Sequence, residues 1–362
     1  MSKLLTPLRL GRVTLNHRVA LAPMTRTRTD DKQTPLPSVK EYYGQRASVP
    51  GTLLITEGTI ISPEHGGYPN IPGIYTDSQI AAWKEVTDAV HDKGSYIFLQ
   101  MAALGRSANP GFLAQQGYQL MSSSDVPMKS PFSNEMHYPV ALTEQGIRDT
   151  ISAFAKAAQN AIAAGFDGVE IHGANGYLVD QFIQDVSNTR VDDWGGSIEK
   201  RSRFALEVTR AVAKAVGSDR TAIRLSPWSK YQDMGMSDPL PQFAYLAKEL
   251  GKLDLAYIHA CESETRDGPS VSFLLQAYGN ASPVVVAGGY NTRTAKQAVD
   301  VDYKDHDVVV AFGKPFISNP DLPHRVANDI AFESSDPATH YGQTPEGYID
   351  YKFSSEFVAV KG

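Results

Sequence analysis

Short apolar runs alternate along the chain with longer stretches of helical periodicity, and the alternation repeats eight times. The runs cover residues 19–23, 52–56, 96–101, 168–171, 222–226, 255–259, 283–287 and 308–312. Most are continuously apolar, the pattern of parallel strands covered on both faces. The clearest helical segments are 143–164 and 197–216. In the second, Phe204, Val208, Ala211 and Val212 share one stripe, with Glu199, Lys200, Arg203 and Arg210 mostly outside it. Weaker helical patterns at 36–47, 77–91, 242–250, 270–278, 292–299 and 320–330 complete the set. Eight such units predict an α/β fold, a closed (β/α)8 TIM barrel.

Two stretches depart from that repeat. Residues 8–18 alternate around Gly11, which predicts a hairpin capping the N-terminal end of the barrel. The connection 102–142 is rich in Ser, Pro, Gly and Met and too long for a simple βα turn. This extended loop leaves the third strand on the side where barrels of this kind place their sites, so it is a candidate lid. From about residue 335 the tail is polar and aromatic, without another βα unit. No repeat or linker interrupts the chain, so residues 1–362 read as a single barrel domain.

Composition removes several functions. The formal net charge of −6 is spread without a like-charge block, which argues against nucleic acid or a membrane surface as partner and leaves small-molecule chemistry. Cys261 is the only cysteine, so one chain can build neither a disulfide nor a Cys-based zinc site. The N-terminus lacks a signal-peptide core, and no stretch approaches the roughly 18 apolar residues of a membrane span. A cytoplasmic protein, monomer or homodimer, is expected.

In a barrel, chemistry is sought at the C-terminal strand ends. There the sequence places Met24-Thr25-Arg26, Thr56-Glu57, Gln100, Glu170 with His172, Arg224 with Ser226, Gly288-Gly289 and Gly313-Lys314. The two glycine sites and Lys314 suit a phosphate, or else a tight turn and a solvated lysine. Arg224 inside a barrel needs an anionic or carbonyl-rich partner, or a structural ion pair with Glu170 or Glu57. With Thr25 and Gln100 it makes a ring of groups fit for a flat heteroaromatic molecule bearing several carbonyls. The densest chemistry lies in residues 169–182, where His172, Asn175 and Tyr177 stand among Gly173, Ala174 and Gly176. No second His stands at ligand spacing, so the metal reading is weak. His172 and Asn175 suit a clamp on a carbonyl oxygen, and the Tyr177 phenol, with an ordinary pKa of about 10, keeps a proton to give at neutral pH. A metal-dependent hydrolase would want a His and carboxylate cluster, and a Schiff-base aldolase a lysine where the sixth strand reads Tyr257-Ile258-His259; neither is supported.

Taken in order, Ala22-Pro23-Met24-Thr25-Arg26, Tyr42-Tyr43-Gly44-Gln45-Arg46-Ala47, Thr56-Glu57-Gly58, Phe98-Leu99-Gln100, residues 170–182, Ser187-Asn188-Thr189-Arg190, Arg224-Leu225-Ser226-Pro227, Ala287-Gly288-Gly289 and Phe316-Ile317-Ser318-Asn319-Pro320 resemble the Old Yellow Enzyme family of flavin-dependent ene-reductases. The resemblance extends over nearly the whole chain. It implies noncovalent FMN at the barrel mouth, with Thr25 at the flavin O4, Gln100 at the pyrimidine edge and Arg224 by N1 and O2. Backbone at Pro23 and Met24 would line the ring, and Gly288, Gly289, Gly313 and Lys314 would hold the phosphate. It further implies a ping-pong reaction in which NADPH reduces the flavin and an α,β-unsaturated aldehyde or ketone is then reduced. In that scheme His172 and Asn175 grip the carbonyl oxygen, the flavin N5 gives hydride to the β-carbon, and Tyr177 protonates the α-carbon. Tyr68 and Tyr341 match aromatic positions around the substrate.

Two positions depart from the family pattern. Gln100-Met101-Ala102 replaces a usual Gln-Leu-Trp, so a bulky pocket wall is missing at Ala102 and larger or differently oriented enones are expected. Gly313-Lys314 replaces Gly-Arg and loses bidentate geometry at the phosphate. Some fungal members of secondary-metabolite pathways isomerise an enal without net reduction, and these can carry Phe in place of the acid tyrosine; Tyr177 favours the reductase. A flavin-binding protein without catalysis is the remaining alternative, and it gives no reason to keep clamp and acid together.

Overall fold

The computed structural model describes residues 2–130, 133–263 and 268–361, with side chains described as far as Val358. All eight expected strands form: β1 (Val19–Leu21), β2 (Leu53–Ile55), β3 (Tyr96–Ala102), β4 (Gly168–Gly173), β5 (Thr221–Leu225), β6 (Tyr257–Cys261), β7 (Val284–Ala287) and β8 (Val308–Phe312). Every neighbouring pair is parallel, β4 pairs with both β3 and β5, and β8 pairs with β1, so the ring closes. The barrel helices are α1 (Pro37–Arg46), α2 (Asp77–His91), α3 (Glu144–Ala163), α4 (Ile198–Val216), α5 (Leu240–Leu250), α6 (Ser272–Tyr278), α7 (Thr292–Gln297) and α8 (Leu322–Ala327). The starts of the long helices α2 to α4 are set by side chains that accept orphan N–H groups: Thr76 and Gln79 form a reciprocal capping box on α2, and Thr143 and Ser197 cap α3 and α4.

Strand alternation divides the core in two. Val19, Leu21, Leu54, Val284, Val286, Val308 and Val310 point outward into the layer shared with the helices. On α4 the buried stripe is Phe204, Ala205, Val208, Thr209 and Val212, with Ala211 half-buried at its edge. The inward residues Ala20, Ala22, Leu53, Phe98, Ala222, Tyr257, Val285 and Val309 fill the lower barrel. Small alanines leave room there for the Phe98 and Tyr257 rings, whose centroids lie 5.4 Å apart. Gly168 is required by that packing, since a Cβ on it would stand 2.3 Å from the Phe98 ring and 2.6 Å from the Arg220 carbonyl oxygen. The expected hairpin forms from Leu8–Leu10 and Val13–Leu15, and its four apolar residues join this lower cluster as a plug.

The excursion after β3 is folded throughout its described part. It contains a turn of 3₁₀-helix (Gly105–Ser107), a short helix (Pro110–Gln115), a parallel pair (Met121–Ser122 with Val140–Ala141) and a hairpin (Met128–Lys129 with Met136–His137). It is tied to the loop after β5: the Arg106 guanidinium donates to the carbonyls of Gln232 (3.3 Å) and Asp233 (3.2 Å), and the Lys129 N–H donates to the Asp233 carboxylate at 2.9 Å. The tail returns over the loop after β1, where Arg26 donates to the carbonyls of His340 (2.9 Å) and Gly347 (2.7 Å). That strap carries Tyr341 to the barrel mouth. Among the described residues no helix is long and apolar enough to cross a membrane.

Candidate active site

Above the lower apolar layer the inward positions become polar. Register sets Gln100 beside Glu170, His172 beside Arg224, and Arg224 beside His259. Glu170 is the fully buried centre of this layer. Its carboxylate accepts from Gln100 Nε2 (2.7 Å), the Tyr257 hydroxyl (3.0 Å) and His259 Nδ1 (2.8 Å). Burial alone would raise its pKa, but His259, Arg224 and the donated hydrogen bonds hold it below the usual carboxylate value. Gln100 therefore has its amide N–H₂ engaged and turns Oε1 towards Gly58. Arg224 forms no ion pair with Glu170 or Glu57, and its Nε is buried with no partner among the described residues. Glu57 instead accepts the N–H groups of Arg26 and Thr27, and burial raises its pKa to about 7.

A cleft opens over this layer, lined by Pro23, Thr25, Gln100, Ala102, His172, Asn175, Tyr177 and Arg224. Eight residues singled out in the sequence thus converge. His172, next to last in β4, has Nδ1 buried and unpartnered among the described residues, and burial together with the charges of Arg224 and His259 keeps the imidazole pKa well below its ordinary value. A neutral imidazole has a single N–H and polarises a ligand oxygen without protonating it. Beyond it the chain turns tightly. Asn175 (φ +57°) and Gly176 (φ +77°) both occupy the left-handed region. The Asn175 N–H donates to Ser226 Oγ at 2.7 Å, and the Gly176 N–H donates to the Asp180 carboxylate at 2.9 Å. This turn delivers Tyr177 to the N-cap of a short helix, Leu178–Ile183, with its ring against the His172 imidazole, centroids 4.6 Å apart. Burial pushes the Tyr177 phenol well above its ordinary pKa, with nearby Tyr231 adding to the shift.

The other expected residues fall around this centre. The Tyr68 hydroxyl donates to the Ser107 carbonyl at 2.8 Å, while Tyr341, 65% exposed, lies within electrostatic reach of Tyr177 at the mouth. Gly288 and Gly289 follow β7, and Gly313 and Lys314 follow β8, so neighbouring strands carry all four to one rim. They do not line the cleft itself. Gly289 has φ +64° and open space around it, Lys314 is exposed, and a Cβ on Gly313 would stand 2.8 Å from the Met24 sulfur. Met24 thus packs under that rim and does not face the cleft. Gly58, Ile71, Leu104 and Tyr231 line it without having been singled out for a role. Ile71 and Tyr231 sit in loops without periodicity, whereas the Tyr257 and His259 pair was visible as alternate inward positions of one strand.

A cleft bearing unpartnered buried donors from Arg224 and His172, and a Gln100 acceptor, fits a flat ligand rich in carbonyl oxygens and ring nitrogens. The profile of the NADH:flavin oxidoreductase / NADH oxidase family matches residues 3–333. The chain belongs to that family, the flavin-dependent oxidoreductases of the Old Yellow Enzyme type. It is 59% identical over 365 residues, 99% of this chain and 98% of the other, to the chanoclavine-I aldehyde reductase fgaOx3 of Penicillium roqueforti. It is 47% identical over 371 residues, 99% of this chain and 97% of the other, to an Epichloe festucae var. lolii protein named "Probable inactive reductase easA". Its fold matches the structure of the Old Yellow Enzyme homologue from Zymomonas mobilis with a TM-score of 0.90 at 38% identity, covering 97% of this chain and 99% of that one.

Proposed function

We propose that this chain, acting as one barrel domain, is an FMN-dependent ene-reductase that takes hydride from NADPH and reduces the activated C=C bond of an α,β-unsaturated aldehyde or ketone. The observation that carries the reading is the union, in one cleft, of His172, Asn175 and Tyr177 with Arg224, whose Nε is buried without a partner among the described residues. FMN would be held by the backbone at Pro23 and Met24 and by Thr25, Gln100 and Arg224, with Gly288, Gly289, Gly313 and Lys314 at its phosphate; when bound it relays a hydride from the nicotinamide to the β-carbon of the enone.

The chain's own groups do the rest. His172 and Asn175 donate to the substrate carbonyl oxygen and draw charge onto it as the β-carbon is reduced. Tyr177, kept protonated by burial, gives its proton to the α-carbon. Arg224 supplies a fixed positive charge at the floor, which favours an electron-rich ligand there. Tyr68, Tyr341 and the small Ala102 shape the outer pocket. The aldehyde reductase named among its relatives supports an enal as substrate class.

Tyr177→Phe tests the reading. Reduction of a simple cyclic enone should slow by about 10²–10⁴-fold, while NADPH still bleaches the bound flavin at its original rate; undiminished enone turnover in that variant would remove the acid from the scheme. NADH in place of NADPH in the same assay gives the reductant preference.

A further inference from the structure

We infer that Glu170, which does not itself line the cleft, is a positioning residue that turns the Gln100 amide so as to hold a hydrogen-bond acceptor at the cleft floor, and thereby selects a ring that presents an imide N–H there. The inference rests on the FMN reading. Gln100 and Glu170 are opposite residues of β3 and β4, both buried, and their side chains meet inside the barrel. The two carboxylate oxygens have separate partners. Oε2 accepts from the Tyr257 hydroxyl (3.0 Å) and from His259 Nδ1 (2.8 Å), both on β6, whereas Oε1 accepts from Gln100 Nε2 at 2.7 Å. Burial opposes the charge on Glu170, but His259, Arg224 and these hydrogen bonds outweigh it and hold the carboxyl below its ordinary pKa.

The sense of the Gln100 contact follows from the carboxylate. An ionised carboxylate has no hydrogen to give, so a Gln100 amide turned the other way would set two acceptors 2.7 Å apart in a buried layer. Nε2 therefore faces Glu170, and Oε1 faces away from it. Its surroundings show where: the point at which a Gly58 Cβ would stand lies 3.6 Å from Gln100 Oε1, 3.4 Å from the Ala102 Cβ and 3.9 Å from His172 Cδ2, and all four residues line the cleft. Among the described residues nothing donates to Oε1. A ligand edge that reaches this oxygen must bring a hydrogen of its own. The oxidised isoalloxazine ring has one N–H, the imide at N3, and a heterocycle with a bare acceptor opposite Oε1 is disfavoured by the same oxygen.

Glu170→Met removes the acceptor that holds Nε2 and leaves the amide without a set sense. The exchange Gln100→Glu with Glu170→Gln restores one: the carboxylate now at position 100 accepts the amide N–H₂ from position 170 on one oxygen and keeps the other as an acceptor at the cleft, while the amide oxygen at 170 takes the Tyr257 and His259 donors. Holoprotein reconstituted with [¹⁵N3]FMN is the material, the N3–H resonance is followed by NMR, and FMN affinity by fluorescence titration of the apoprotein. Wild type should show an N3 proton protected from exchange with water. Glu170→Met should move that resonance upfield, hasten its exchange and weaken FMN binding roughly three- to tenfold, the scale of one neutral hydrogen bond. The exchange variant should bring the resonance back towards its wild-type position, a recovery that repair of packing alone would not give, and it carries the result by itself if Glu170→Met does not fold. An unmoved resonance in Glu170→Met, or one that stays upfield in the folded exchange variant, overturns the role of Glu170 while FMN binding stands. A wild-type apoprotein that takes up no FMN overturns the flavin reading and this inference with it.

Discussion

Phe98, Ala222 and Tyr257 point into the lower barrel; Gln100, Arg224 and His259, the next inward positions on the same three strands, stand in the layer beneath the cleft. A step of two residues takes each strand from hydrocarbon packing to hydrogen-bonding chemistry. At the lower end the hairpin leucines pack against alanines, valines and rings. In the upper layer one carboxylate, Glu170, gathers three donors, while Arg224 Nε and His172 Nδ1 are buried without partners among the described residues. The contrast with Arg46 is instructive: that guanidinium, fully buried, donates to the carbonyls of Phe316, Tyr42, Ile317 and Tyr348 and lies 3.6 Å above the Tyr42 ring. Arg46 commits its donors to the chain, whereas half-buried Arg224, at the cleft, keeps Nε without a partner among the described residues.

If the two ends divide stability from function in this way, changes at each should be separable. The largest loss of stability is expected at the plug, where Leu15→Ala should cost about 2–5 kcal/mol in denaturant unfolding yet leave the KM for enone unchanged in the folded protein. Arg224→Met should do the reverse. The apoprotein should melt close to wild type, since Arg224 is half-buried and makes no ion pair with Glu170 or Glu57, while FMN affinity followed by fluorescence falls by roughly 10–100-fold, as for one charged hydrogen bond. A marked drop in apoprotein melting temperature for Arg224→Met would break the division.

Asp180, behind the turn at Asn175 and Gly176, sharpens it through pH. Burial raises this carboxyl to about 7 in the folded chain, opposed by Gln184, the Gly176 N–H, Arg106 and Ser226. Unfolded, it titrates near 4, at about the ordinary value for Asp. Between those two pH values the folded protein holds a proton that the unfolded one has lost, so this group favours folding at acid pH, and the benefit fades as pH climbs from about 4 through 7. Asp180→Asn should therefore gain stability relative to wild type as pH rises across that window, in paired melting curves; a constant difference would place the titration elsewhere. The smallest effect is expected at the rim of the cleft, where Ala102→Trp should discriminate against bulky enones by about tenfold or less while sparing cyclohexenone, on the scale of a lost or filled hydrophobic subsite.

Strand and helix periodicity made the barrel legible, because its strands are continuous apolar runs and its long helices carry clear stripes. The same is true of Thr25, Gln100, His172 and Arg224, which strand ends index by position. Partnerships were harder to see. Arg224 had two carboxylates on offer in the sequence, and only folding showed Glu170 committed to Gln100, Tyr257 and His259, and Glu57 to the backbone of Arg26 and Thr27. Tyr231 was illegible for a different reason: it lines the cleft beside two left-handed residues, Gln232 and Asp233, that are held from the excursion after β3, about a hundred residues away in sequence, and no local periodicity encodes that.

The pairing of Val310 with Val19 joins strands some 290 residues apart, and the Arg18 guanidinium spans the same seam to Asp307 at 3.0 Å. A nascent chain therefore exists for most of its synthesis as an open arc with two unpaired strand edges, and the ring can shut only after β8 has emerged from the ribosome. Contacts of such high order make closure slow. Yield of this protein in a foreign host should be governed by how long those edges stay exposed, so slower translation and lower temperature are the conditions that favour its recovery.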